Sequence, residues 1–226
     1  MELTKIRRDR AVDEVYQALR QAILNSLMLP GERLNIEDLS HKLGVSLTPV
    51  RQAIQQLCTE GLIEVRPRSG TFVAQLSERN VEETFDIRCA LECLAAEKAV
   101  ERATADDSRR LRDLMKAMRK AVRTDQDRKE HEEANVEFHL ILLRASGNQR
   151  LLEMYEALNA HIKIARIHRT AQDWLPRLRE EQAEHEAIAA ALEKRDAGAL
   201  QEALRKHIMR AKDALVRSMR DRETRD

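Results

Sequence analysis

Val12, Val15, Leu19, Ile23 and Leu27 recur at helical spacing through residues 11–29 and stop at Pro30-Gly31, which predicts one amphipathic helix there. A shorter helix follows on Ile36, Leu39 and Leu43 and ends at Gly44, where left-handed backbone is cheapest. A third begins at Ser46 or Leu47, with Pro49 in its first turn where a missing N–H costs nothing. Its inward stripe is Val50, Ile54 and Leu57, which turns Thr48, Arg51, Gln52 and Gln55 outward near the helix start. After Gly61 the period drops to two. Ile63 and Val65 alternate with Glu64 and Arg66, and Phe72 with Val73, across a Pro67-Arg68-Ser69-Gly70 turn.

From Ser77 onward no strand period appears. Breakers at residues 104–106, 124–127, 146–148, 170–176 and 196–198 cut the segment into six helices, expected to form an antiparallel bundle. The chain therefore reads as mainly α. Residues 1–76 form a winged helix-turn-helix with a small β-hairpin wing, and residues 77–226 form an all-α bundle.

Outward polar side chains at the start of a short helix can reach phosphates and base edges, and arginines at a hairpin tip suit the backbone or minor groove. The residues that would touch DNA are Lys42, Ser46, Thr48, Arg51, Gln52, Arg66, Arg68 and Gly70. The stretch GVSLTPVRQAIQQLCTEGLIEVRPRSGTFV at 44–73 resembles the N-terminal domain of the GntR family of bacterial transcription regulators. In one place it departs: the family usually has an Arg between the Ser and Thr of VSRTPVR, and here Leu47 stands there. A bidentate arginine–guanine contact is worth about 1–3 kcal/mol of discrimination, so the operator is expected to differ at that base.

Charge sharpens this picture. Ten basic and nine acidic residues fall within the first 76, a net charge of +1, so DNA affinity must come from placed side chains and dimerisation rather than a bulk basic field. Few aromatics argue against stacking-based RNA or single-strand binding. No apolar run is long enough to span a bilayer, and the N-terminus lacks a signal-peptide core, so a cytoplasmic protein without a membrane partner is expected. Cys58, Cys89 and Cys93 have no metal or redox spacing and are expected to be reduced, mostly buried thiols.

Three histidines occupy inward stripes of the bundle. His139 shares a face with Asn135 and Leu142, His185 with Leu178, Ile188 and Leu192, and His207 with Leu200, Leu204, Ala211 and Leu215. His185 and His207 lie eleven residues either side of Asp196, so a helical hairpin turning there sets them level, roughly 16 Å from the loop. Asn135 and His139 add two donors one turn apart. Three imidazoles and an amide oxygen suit a late divalent ion such as zinc or nickel.

The segment from Ser77 to about Met219 resembles the FCD ligand-binding domain of the FadR branch of that family, through DIRCALECLAAEKA at 86–99, NVEFHLILLRASGN at 135–148 and EHEAIAAALEKRDAGALQEALRKH at 184–207. Six helices rather than seven point to the VanR-like subgroup. The resemblance implies metal ligands at Asn135, His139, His185 and His207, with Asn135 replacing the family's Asp. With neutral ligands only, the ion would keep its full charge and attract an anion such as a small carboxylate. Arg88 would be the second clamp on that effector, or would pair with Glu92 at i+4. His161, thirteen residues after Asn148 as Asn135 lies thirteen before, is expected near the site, whereas His41, His131 and His168 read as surface residues.

The expected mechanism has two states: effector binding alters the spacing of two DNA-binding domains in a homodimer, and repression released by a metabolite is the commoner family behaviour. The helices carrying Val81, Phe85 and Leu111 offer apolar residues for dimerisation. A metal-dependent hydrolase and an architectural DNA protein with an inert bundle are the alternatives; the first lacks a carboxylate with a clear base role.

Overall fold

The computed structural model describes residues 10–75, 77–167 and 178–223. His168 and the predicted break at 170–176 lie outside them. The chain divides into two compact units, Met1–Ser77 and Glu78–Asp226.

In the first unit α1 (Arg10–Leu24) packs on α3 (Leu47–Thr59), and α2 (Ile36–Leu43) also packs on α3. Val12, Val15, Leu19 and Ile23 of α1 are buried, as the periodicity requires. Leu27 is not: it is 77% exposed. The helix closes early because Ser26 turns to φ +60 and Leu27 N donates back to Ala22 O at 2.8 Å. Asn35 caps α2 by accepting from Glu37 N and Asp38 N, and Gly44, at φ +66, ends it. Ser46 stands at the N-cap of α3 without a side-chain capping bond, so its hydroxyl is not committed to the helix.

Three strands complete the unit in the order β1-β3-β2, all antiparallel: β1 (Arg33–Leu34), β2 (Ile63–Arg66) and β3 (Gly70–Val73). β1 has only two residues, too few to show a period. In the hairpin, Ile63 faces Val73 and Arg66 faces Gly70. Ile63 and Val73 are buried, but Val65, expected to alternate inward with Ile63, is exposed because the wing tip has no layer over it.

The second unit has six helices among the described residues: α4 (Glu78–Arg102), α5 (Ala105–Met118), α6 (Asp125–Ala145), α7 (Gln149–Ile167), α8 (Leu178–Glu193) and α9 (Ala197–Glu223). α4 is the central rod, packed against α6, α7, α8 and α9. Capping boxes start α5 at Thr104 with Asp107 and α6 at Thr124 with Asp127. Val81, Phe85 and Leu111, expected at a dimer surface, are instead at most 1% exposed and belong to the bundle's own core. That core is apolar at one end, where Leu91, Ala95, Leu143, Leu151 and Tyr155 cluster. Elsewhere it buries Arg88, Glu92, Asn135, His139, Glu184, His185 and His207.

Candidate functional site

In the first unit, Thr48, Arg51, Gln52 and Gln55 lie exposed on one face of α3, while Val50, Ile54 and Leu57 hold the helix to the core. Lys42, Ser46 and Leu47 are exposed beside the helix start. At the wing, Arg66 is already engaged: it pairs with Glu64 and lies over the Phe72 ring, 4.5 Å from its centroid. Arg68 is exposed at the tip in left-handed backbone, φ +64. Gly70 has φ +127, and a Cβ there would meet Arg33 Nε at 3.0 Å, so the turn needs a glycine.

In the bundle, α6, α8 and α9 bring His139, His185 and His207 together. Their potential ligand atoms all lie within 4.8 Å of one another, and all three side chains are buried. Ring centroids are 4.6 Å apart for His185 and His207, 5.1 Å for His139 and His207, and 5.8 Å for His139 and His185. The level placement expected from Asp196 is what the hairpin of α8 and α9 produces. Asn135 is buried one turn before His139 on α6. His161 sits half-buried on α7 and is not a member of the three-histidine cluster.

Two carboxylates fix the imidazoles, and sequence reasoning missed both in this role. Glu92 Oε2 lies 2.6 Å from His139 Nδ1, and Arg88 Nε donates to Glu92 Oε1 at 2.7 Å. Glu184 Oε2 lies 2.9 Å from His207 Nδ1, and Arg210 grips Glu184 through Nε and a terminal nitrogen at 2.5 and 2.7 Å. Each Arg–Glu–His chain engages Nδ1, so Nε2 is the nitrogen each ring would offer a metal. Among the described residues, none offers His207 Nε2, which is buried, a hydrogen-bond partner. An orphaned buried nitrogen facing other imidazoles is what a divalent ion would satisfy, so this donor set fits one.

Burial, with the neighbouring His207, holds His185 well below the ordinary imidazole value; burial and His139 do the same to His207. Both rings are therefore neutral, the ligand form. Burial works to raise Glu92, but His139 and Arg88 outweigh it and hold the carboxyl at about 2. The site is thus not as bare of charge as neutral ligands alone implied, since Glu92, Glu184 and Glu181 are all buried in the same core. His131, expected at the surface, is also buried, with Nε2 at 3.7 Å from Glu181.

Arg88 pairs with Glu92, the structural partner considered for it, but its NH1 nitrogen is buried and has no hydrogen-bond partner among the described residues. The cysteines are free thiols; Cys89 and Cys93 have Sγ atoms 4.0 Å apart, and burial, then Cys89, pushes Cys93 up to about 12. A thiol held there is inert at neutral pH.

The description "FCD domain" matches residues 83–210, more than half the chain, and "Bacterial regulatory proteins, gntR family" matches residues 11–73. The chain belongs to the GntR family. It is a DNA-binding transcription regulator with an FCD domain, not an enzyme. The HTH-type transcriptional repressor RspR of Escherichia coli is 29% identical over 214 residues, covering 92% of this chain and 89% of that one. The Bacillus subtilis HTH-type regulator YdhC is 31% identical over 68% of this chain and 69% of its own. Among solved GntR structures, E. coli McbR superposes with a TM-score of 0.76 at 25% identity, covering 94% of this chain and all of that one. No helix among the described residues is long and apolar enough to cross a membrane.

Proposed function

We propose that this regulator is a repressor working as a homodimer, released from its operator by a small carboxylate bound at a metal centre in the bundle. His139, His185 and His207 hold the ion, zinc or nickel, with Asn135 as a neutral fourth donor. Once bound, the ion supplies positive charge and an open position that attract an anion. Arg88, through the NH1 nitrogen that Glu92 leaves unused, is the second clamp on the carboxylate. Operator contacts fall to Lys42, Ser46, Thr48, Arg51, Gln52, Arg66, Arg68 and Gly70, with His161 flanking the effector.

The observation that carries this reading is the convergence of three buried imidazoles, two of them pinned through Nδ1 by Glu92 and Glu184. An inert core would not leave His207 Nε2 orphaned. The relative named as a repressor supports the direction of control.

The test is operator release by a panel of small carboxylates, read by fluorescence anisotropy on zinc-loaded protein. One of them should weaken DNA binding by roughly 5- to 150-fold, the usual size of such coupling. Arg88→Lys, which keeps the charge opposite Glu92 but loses the fork, should blunt that release. Equal release in the variant would remove Arg88 from the effector site.

A further inference from the structure

Among the described residues of the first unit, Leu27, Leu29, Leu47 and Val65 are the large apolar side chains left open. A lone exposed leucine is ordinary on a protein surface, but the place of Leu47 is not. Leu27 and Leu29 follow the end of α1 and Val65 lies on the wing, whereas Leu47, 36% exposed, is the first residue of α3. Val50, Ala53, Ile54 and Leu57 bury one side of that helix. Leu47 heads an exposed row that continues through Arg51 and Gln55 at four-residue steps, beside Thr48 and Gln52. Side chains on a helix lean toward its N-terminus, so this leucine covers the leading edge of α3, next to the extended N-cap residue Ser46.

We infer that Leu47 reads a thymine in the operator, through the C5 methyl that this base alone of the four shows in the major groove. A recognition helix enters that groove with its first residues on the base edges. An isobutyl side chain neither donates nor accepts a hydrogen bond. Against guanine it would cover the N7 and O6 acceptors, against adenine the N7 acceptor and the N6 donor, and against cytosine the N4 donor. Each of those groups, buried and left unpaired, costs more than the leucine contact gains. Thymine presents a methyl group to the same contact, so apolar surface meets apolar surface. Selection at this base then comes from the polar edges that Leu47 rejects as much as from the methyl it covers. This assignment rests on the operator face named in the proposed function and on neither metal nor effector.

Selection of duplexes from a random library by the full-length wild type, Leu47→Ala and Leu47→Arg tests the contact. Wild type should enrich a thymine at a position where Leu47→Ala shows no preference and Leu47→Arg prefers guanine. On the selected duplex, deoxyuridine in place of that thymine removes only the methyl. It should weaken wild-type binding about fourfold in fluorescence anisotropy, the worth of one buried methyl-sized group at roughly 0.8 kcal/mol, and leave Leu47→Ala binding unchanged. Leu47 lies open, so both variants should melt with the wild type. Deoxyuridine tolerated by the wild type, or costing wild type and Leu47→Ala the same factor, would overturn the thymine contact. Gln52→Ala keeps that failure apart from failure of the operator face. A selection altered by Gln52→Ala but not by Leu47→Ala overturns the contact alone, and one altered by neither overturns the face as well.

Discussion

Removing the carboxylate of Glu92 should cost this protein several kcal/mol, a cost set by the partners it leaves behind. Glu92 and Arg88 are each 1% exposed, and Glu92 also holds His139 Nδ1 at 2.6 Å. Its carboxyl sits at about 2 against an ordinary 4.5. At about 1.4 kcal/mol per pH unit, that gap is worth roughly 3 kcal/mol. This stability is complete above the ordinary carboxyl value and is lost as pH falls toward the native one. Breaking a buried pair from one side costs about 3–5 kcal/mol by an independent route, because the other charge stays buried. The two figures agree. Glu92→Leu should lower the midpoint of thermal unfolding of the chelated protein by about 6–12 °C, at roughly 2–4 °C per kcal/mol for a chain of this size. Adding Arg88→Met removes the stranded guanidinium and should recover most of the loss. A Glu92→Leu variant within about 1 kcal/mol of wild type in urea titration, or a double variant no better than the single, would refute the pair as a structural keystone.

Other outcomes follow from the same geometry. His185 and His207 are held neutral in the fold, whereas the unfolded chain takes up protons below about 6.5, so stability is full above that pH and declines below it by up to about 1.4 kcal/mol per pH unit per ring. Melting of the chelated protein from pH 7.5 to 5.5 checks this; a flat midpoint would contradict it. Asn135→Asp restores a charged oxygen beside His139 and should tighten zinc binding about tenfold or more in competition with a chelating dye. Arg68→Ala should weaken binding to all DNA sequences alike and lower the salt slope by about 1, while Gln52→Ala should change base preference in a binding-site selection.

Much of this was legible because helical periodicity is strong where the fold is simple. Gly44 stops α2 in left-handed backbone, α3 buries the expected stripe, and equal distances from Asp196 set His185 and His207 level. The failures have physical causes. Leu27 fell outside its helix because Ser26 closed α1 locally, a choice made by backbone hydrogen bonds that spacing does not record. β1 was too short to carry a period. His131, expected at the surface, turns inward toward Glu181, a long-range partner that helical spacing does not record. Glu92 and Glu184 were passed over because glutamates on helices are usually solvated. A signal was present: Arg88 and Glu92 interrupt the buried α4 row of Val81, Phe85, Ala95 and Ala99 at three- and four-residue steps, and Glu184 stands in a row with Ile188 and Ala191. Charges in an apolar row must find partners, and here they are the histidines.

The most direct test of the central claim is metal stoichiometry: protein stripped with chelator, exposed to zinc or nickel, dialysed and analysed for bound ion beside His185→Ala treated identically. The site expects about one tightly held ion per chain, lost in the variant. No retained ion in the wild type, or the same amount in both, would mean the three imidazoles do not form a metal centre.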